Sequence, residues 1–166
     1  MVLLAAACHH KPAATTPKAE TATYVPTKAP APVAKPASPN LAVGDRLAEA
    51  CGLHIDNVQT APKFDFDAAA LEPADRDLLQ QVATCLTTGP LHGKTLQLVG
   101  RADPRGTSEY NLGLGSRRAN EVTAYLERLG VKSPQLSPTT RGALDANGTD
   151  DASYRTDRRV DLVLKD

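Results

Sequence analysis

The sequence predicts an α/β fold: a two-layer sandwich in the order β-α-β-α-β-β, with helices packed on one face of a mixed sheet. Three observations carry this expectation. Segments with helical apolar spacing alternate with short runs of period two. Capping and stop residues fall at the ends of the helical segments. Large apolar side chains are concentrated after position 40, so residues 41–166 form a folded unit long enough for a core of its own.

The elements follow in chain order. Val43 to Cys51 reads as a helix, with Leu47 and Ala50 spaced by three and Gly52 as a stop. Lys63-Phe64-Asp65-Phe66 alternates polar and apolar, which suits a short half-buried first strand. Pro73 opens a second helix, whose apolar stripe is Leu78, Leu79, Val82, Ala83 and Leu86. Thr95 to Val99 reads as the second strand. Thr107 or Ser108 can cap a long helix from Glu109 to Leu129, which Gly130 ends. Leu112, Ala119, Val122, Leu126 and Leu129 recur along it at helical spacing and are expected to face the core. Leu136 to Arg141 and Arg159 to Leu164 read as the third and fourth strands. The polar stretch Ala143 to Asp157 between them has room for one short helix.

The segment 9–40 is of another kind. It holds seven of the chain's 13 prolines and four lysines against the single acid Glu20. With few large apolar side chains it cannot offset the entropy of folding. It is expected to be a disordered spacer biased to polyproline II, spanning up to roughly 100 Å at about 3.1 Å per residue. Residues 1–8, Met-Val-Leu-Leu-Ala-Ala-Ala-Cys, place small residues between an apolar run and Cys8. This resembles the end of a bacterial lipoprotein signal, in which the Cys is lipidated. Ala5 stands where that signal usually has Leu, and no basic n-region precedes the run. The alternative is an ordinary frayed terminus. His9 rather than Asp follows the Cys, which in such lipoproteins goes with the outer membrane. The chain's net charge of zero argues against general nucleic-acid binding. No run of eighteen apolar residues exists to span a membrane as a helix.

The most informative run is Gly100-Arg101-Ala102-Asp103-Pro104-Arg105-Gly106, continuing through Tyr110-Asn111 to Ser116-Arg117-Arg118-Ala119. Asp103 falls just beyond the C-terminal end of a strand, where crossover folds commonly bind ligands. Asn111 and Arg118 lie seven residues apart, on one face of a helix. A carboxylate on the loop opposite a guanidinium on the helix suits a zwitterion: Asp103 takes an ammonium, Arg118 a carboxylate. The other reading of the same spacing is an internal Asp103–Arg118 salt bridge without a ligand. The ligand reading expects substitutions of either residue to remove binding and leave stability intact; the salt-bridge reading expects the reverse.

The run from Gly100 to Val131, with Lys63-Phe64-Asp65-Phe66-Asp67 and Tyr154 to Val160, resembles the OmpA-like peptidoglycan-binding domains, and among them the peptidoglycan-associated lipoproteins. The resemblance covers residues 62–166. It implies a domain that binds the diaminopimelate of the peptidoglycan stem peptide without covalent chemistry and without a cofactor. Asp103, Asn111, Arg118 and Arg158 fall on that family's ligand-binding positions. Arg101 departs from the family's His or Asn, and Asp157 from its Asn; Asp157 is expected to pair with Arg158 or Arg159. The implied partners are peptidoglycan of the diaminopimelate type, Tol-type periplasmic proteins, and the outer membrane through a lipid anchor, with the domain facing the periplasm. The rival readings are a cell-wall-modifying enzyme and a protein-interaction module that keeps the fold without binding peptidoglycan.

Other constellations carry less. Gly113-Leu114-Gly115 lacks the third Gly of a dinucleotide loop and lies inside a helix. Cys51, His54, Cys85 and His92 offer zinc donors, but in an exported chain a Cys51–Cys85 disulfide is the expected use of the two cysteines. Asp145, Asn147, Asp150 and Asp151 lack the closing Glu of an EF-hand loop and read as a solvated acidic loop. No nucleophile–base–acid set stands out.

Overall fold

A computed structural model describes residues 41–53 and 64–166, all within the unit Ala34–Asp166. Cys8, the 9–40 spacer, His54 and Lys63 lie outside the described residues.

The elements are β1 (Leu41–Val43), α1 (Asp45–Cys51), α2 (Pro73–Thr87), β2 (Leu96–Arg101), α3 (Ser108–Arg128), β3 (Leu136–Gly142), α4 (Asp151–Asp157) and β4 (Val160–Leu164), with a 3-10 turn at Ser133–Gln135. The sheet is mixed, in the order β1-β4-β2-β3: β1 runs parallel to β4 and β2 parallel to β3, while β2 and β4 are antiparallel. The expected α/β sandwich is therefore present, with a different first strand. Val43 ends β1 rather than starting a helix, because Leu41 to Val43 pairs with Val160 to Leu162.

Phe64 to Phe66 forms no strand, and the chain turns at Phe66 and Asp67. Phe64 donates its N–H to the Arg158 carbonyl at 3.1 Å, and the chain then reverses through Asp67 at φ 55. A short polar side chain such as Asp tolerates that left-handed conformation better than most. The period-two pattern arises instead because Phe64 points inward, 1% exposed, and Phe66 outward, 63% exposed.

Helices α2, α3 and α4 start where their sequences provide side-chain acceptors for backbone N–H groups. Asp75 accepts the Glu72 N–H at 2.8 Å, ahead of Pro73 in the first turn of α2. Thr107 Oγ1 accepts the Tyr110 N–H at 3.2 Å and caps α3. Asp150 accepts the Ser153 N–H at 2.8 Å and caps α4. The Cys51 and Cys85 sulfurs lie at bonding distance, 2.02 Å, joining α1 to α2.

Among the described residues the buried core is aliphatic except for Phe64 and the Cys85 sulfur. Leu79, Val82 and Leu86 of α2, Val122 and Leu126 of α3, and Leu96, Leu98 and Leu162 of the sheet are all buried together. Leu112, expected in this stripe, is exposed, and Leu114 is buried in its place. On the outer sheet face Arg101 holds both Asp161 and Asp145, Arg159 reaches Asp161 at 2.7 Å, and Arg141 Nη2 reaches Asp145 at 2.9 Å. The two arginines hold the Asp145 carboxyl far below the usual carboxylate range. β3 lies at the sheet edge, where its Pro138 costs no central ladder bond.

Two glycines set the distance between α3 and the sheet. A Cβ on Gly100 would lie 1.8 Å from the Gly115 carbonyl oxygen, and one on Gly115 would lie 2.4 Å from Thr140 Oγ1. Backbone therefore touches backbone where α3 crosses β2. This contact brings the first half of α3 against the loop that leaves β2.

Candidate functional site

β2 ends with a register shift at Gly100 and Arg101, and the chain turns out of the sheet through Ala102 and Asp103. Asp103 is 4% exposed. A carboxylate at that depth needs donors on both oxygens, and it has them. Oδ1 accepts the Arg105 N–H at 3.1 Å and Arg105 Nε at 3.2 Å; Oδ2 accepts Arg105 Nη2 at 2.7 Å and Arg158 Nη1 at 3.2 Å. Burial alone would raise the Asp103 carboxyl, but the hydrogen bonds from Arg105 and Arg158 outweigh it and hold it below the usual range.

Arg158 leads from α4 into β4 and is itself buried. Its Nε donates to the Phe64 carbonyl, so Phe64 and Arg158 are tied in both directions. Asp157 does not pair with either neighbouring arginine. Its oxygens accept the Asn147 N–H at 3.2 Å and the Gly148 N–H at 2.8 Å, which fastens the loop before α4.

Arg118 is the largest fully buried side chain among the described residues. It makes no ion pair with Asp103. Its Nε donates to the Ala68 carbonyl at 2.8 Å, Nη1 to the Arg101 carbonyl at 2.7 Å and Nη2 to the Asp65 carbonyl at 3.2 Å. The guanidinium carbon lies 4.9 Å from the Phe64 ring centre. Burial, together with repulsion from Arg158, brings its pKa down to about 10, so it remains a cation at neutral pH. Three of its five N–H groups thus clamp the turn after Phe64 to the end of β2. Arg101, the departure noted above, contributes only its carbonyl here, since its side chain faces the ion pairs of the outer sheet face.

Asn111 lies one turn into α3, 3% exposed, and its Nδ2 donates to the Arg105 carbonyl at 3.0 Å. It fixes the loop rather than touching Asp103. A groove of about 270 Å³ beside this loop is lined by Pro104, Gly106, Ser108, Asn111, Ala143 and Leu144.

The four residues singled out from the sequence therefore meet around one loop. Asp103 and Arg158 pair directly, while Arg118 and Asn111 hold the backbone around them. Sequence reasoning gave no role to Arg105, Phe66 or Tyr154. The Arg105 guanidinium grips Asp103 and lies 4.5 Å from the Phe66 ring centre and 4.6 Å from that of Tyr154. The Asp-Pro-Arg spacing was the available signal for Arg105; nothing local connects Phe66 to Tyr154. Among the described residues, no group of three or more His, Cys, Asp or Glu is placed to hold a metal ion. No helix among them is long and apolar enough to cross a membrane. What the cluster offers is charge and stacking: a buried carboxylate among three guanidiniums, with two aromatic faces at the rim.

Comparison with known proteins gives a consistent result. Residues 63–160 match the OmpA family. The peptidoglycan-associated lipoprotein of Pseudomonas putida is 38% identical over 101 residues, covering 60% of this chain and 59% of that protein. Outer membrane protein A of Bordetella avium is 37% identical over 104 residues, covering 61% of this chain and 52% of its own length. The match thus spans between half and three fifths of these curated relatives. Among solved structures, the peptidoglycan-associated lipoprotein from Burkholderia pseudomallei aligns with a TM-score of 0.58 at 40% identity, over 63% of this chain and 88% of that one. The C-terminal domain of Helicobacter pylori MotB aligns with a TM-score of 0.53 at 20% identity, over 62% of this chain and 81% of that one, a likeness of fold alone.

Proposed function

The chain belongs to the OmpA family, and on that premise we propose that it binds peptidoglycan non-covalently and tethers the cell wall to the outer membrane, with Cys8 as the lipidated anchor. The group recognised is the free end of diaminopimelate, which carries an ammonium and a carboxylate on one carbon. Asp103 receives the ammonium. Arg158 and Arg118 supply the positive field for the carboxylate, and Asn111 holds the loop in register. The observation that carries this reading is Asp103 itself, a nearly buried carboxylate at the C-terminal end of β2 whose ion-pair partners are both cations of the site. The names of the lipoprotein relatives support peptidoglycan as the macromolecule. One acyl chain alone anchors only marginally, so firm tethering requires several at Cys8.

The test is co-sedimentation of the full chain with purified diaminopimelate-type peptidoglycan. Asp103→Asn keeps the shape and removes the charge, leaving the ligand's ammonium unpaired; it also unpairs the buried Arg158, so loss of binding counts only for variant protein that remains folded by circular dichroism. The expected loss is about 2–5 kcal/mol, roughly thirtyfold or more in affinity. Unchanged binding by Asp103→Asn would overturn the assignment. Clearing of the cell-wall suspension by the wild type would instead identify an enzyme.

A further inference from the structure

We propose that Arg105 is a built-in competitor for the site: its guanidinium occupies the place of the ligand's ammonium on Asp103 and must swing out before a ligand binds. This rests on the reading of Asp103 given above.

The surroundings of the Arg105 guanidinium are those of a cation site. Nε and Nη2 fork onto the two Asp103 oxygens at 3.2 and 2.7 Å. The rings of Phe66 and Tyr154 lie 4.5 and 4.6 Å from its carbon, within the range of cation–π attraction. Asp151 lies 3.6 Å from Nη1. A ligand ammonium arriving at Asp103 would meet the same carboxylate and rings, so the two cations exclude each other.

The two arginines on Asp103 differ in their freedom to leave. The Arg158 side chain is 6% exposed and also bonded to the Phe64 carbonyl, so it is part of the interior. The Arg105 side chain is 38% exposed. Its backbone is held independently of its side chain: the N–H by Asp103 at 3.1 Å, the carbonyl by Asn111 at 3.0 Å. The guanidinium can therefore rotate into water without breaking a backbone bond. Asp103 keeps Arg158 and the Arg105 N–H while it waits for the ligand.

A competitor of this kind lowers apparent affinity by the fraction of molecules in which it is displaced. An exposed fork with two stacking contacts closes the site in most but not all molecules. Its removal should tighten binding by about three- to tenfold. The direction is diagnostic, because peptidoglycan bears carboxylates and loss of a positive charge would otherwise weaken binding.

The experiment is equilibrium co-sedimentation of the full chain with diaminopimelate-type peptidoglycan, for wild type, Arg105→Gln, Arg105→Lys and Asp103→Asn, each with its melting temperature. Arg105→Gln is expected to bind tightest, Arg105→Lys between it and the wild type, and Asp103→Asn to lose binding. Lys keeps the charge but not the fork, so this ordering separates competition from net charge. If Arg105→Gln binds as the wild type does, or more weakly, the competitor is refuted; the site stands where Asp103→Asn fails to bind while still melting as a folded protein. If Asp103→Asn binds normally, the site assignment falls, and the competitor with it. If Arg105→Gln does not fold, Arg105→Lys decides alone: tighter binding supports displacement, equal or weaker binding overturns it.

Discussion

Replacing Arg118 by Met tests how far the buried guanidinium is structural. The side chain volume is nearly kept, so the loss is of hydrogen bonds rather than of packing. Three carbonyls, those of Asp65, Ala68 and Arg101, lose donors at 3.2, 2.8 and 2.7 Å. Bonds from a charged donor contribute about 1.5–3 kcal/mol each, so the gross loss is about 4–9 kcal/mol. Against it stands the relief of a buried cation. Its pKa is lowered to about 10, mainly by burial, which corresponds to about 3 kcal/mol. The net destabilisation expected is about 1–6 kcal/mol, and for a domain of this size the melting temperature falls by about 4–24 °C. Arg118→Lys should recover little, because one ammonium cannot span three separate carbonyls. Thermal unfolding followed by circular dichroism checks both variants. A melting temperature within about 3 °C of wild type would refute the clamp. The result also decides how binding data are read. A residue that holds the turn at 65–68 to β2 cannot be tested as a ligand contact by deletion alone, and the same holds for Asp103, whose neutralisation unpairs the buried Arg158; binding by each variant is read against its melting temperature.

The Cys51–Cys85 bridge should leave no free thiol at either position in denatured, unreduced protein. Its reduction should cost about 3–4 kcal/mol for a sequence separation of 34; two titratable thiols there would contradict it. Mass spectrometry of protein expressed from its complete reading frame should find acyl chains on Cys8 and recovery with outer membrane, whereas an unmodified Cys8 in a membrane-free fraction would exclude the anchor.

Local patterns determined much of this molecule. α2 and α3 were legible because each repeats one apolar stripe over at least 15 residues and begins at a recognisable cap or Pro. β2 and β4 were legible as short, largely apolar runs, whereas β3 is mostly polar and was legible chiefly from its place after the Gly130 stop. Asp103, Asn111, Arg118 and Arg158 were legible as a set through the long motif that carries the family. β1 was not. Three residues are too few for a period, and Leu41 to Val43 becomes a strand only because β4, more than a hundred residues later, supplies its partner. The alternation at Phe64 and Phe66 misled because a turn with one ring in the core and one in water gives the same pattern as a strand. Leu112 is exposed and Leu114 buried, a choice that the apolar spacing of the helix did not make.

The roles within the site belonged to tertiary structure alone. Spacing offered Arg118 a carboxylate, from a ligand or from Asp103. Packing gave it three backbone carbonyls from two distant segments, because a cation buried at that depth takes whatever acceptors the fold presents. The partner of Asp103 passed to Arg105 and Arg158, and the rings that cradle Arg105 come from positions 66 and 154. Contacts across such separations have no period and no motif. They exist only once the C-terminal end of β2, the N-terminal end of β4 and the turn after Phe64 have been brought to one end of the sheet.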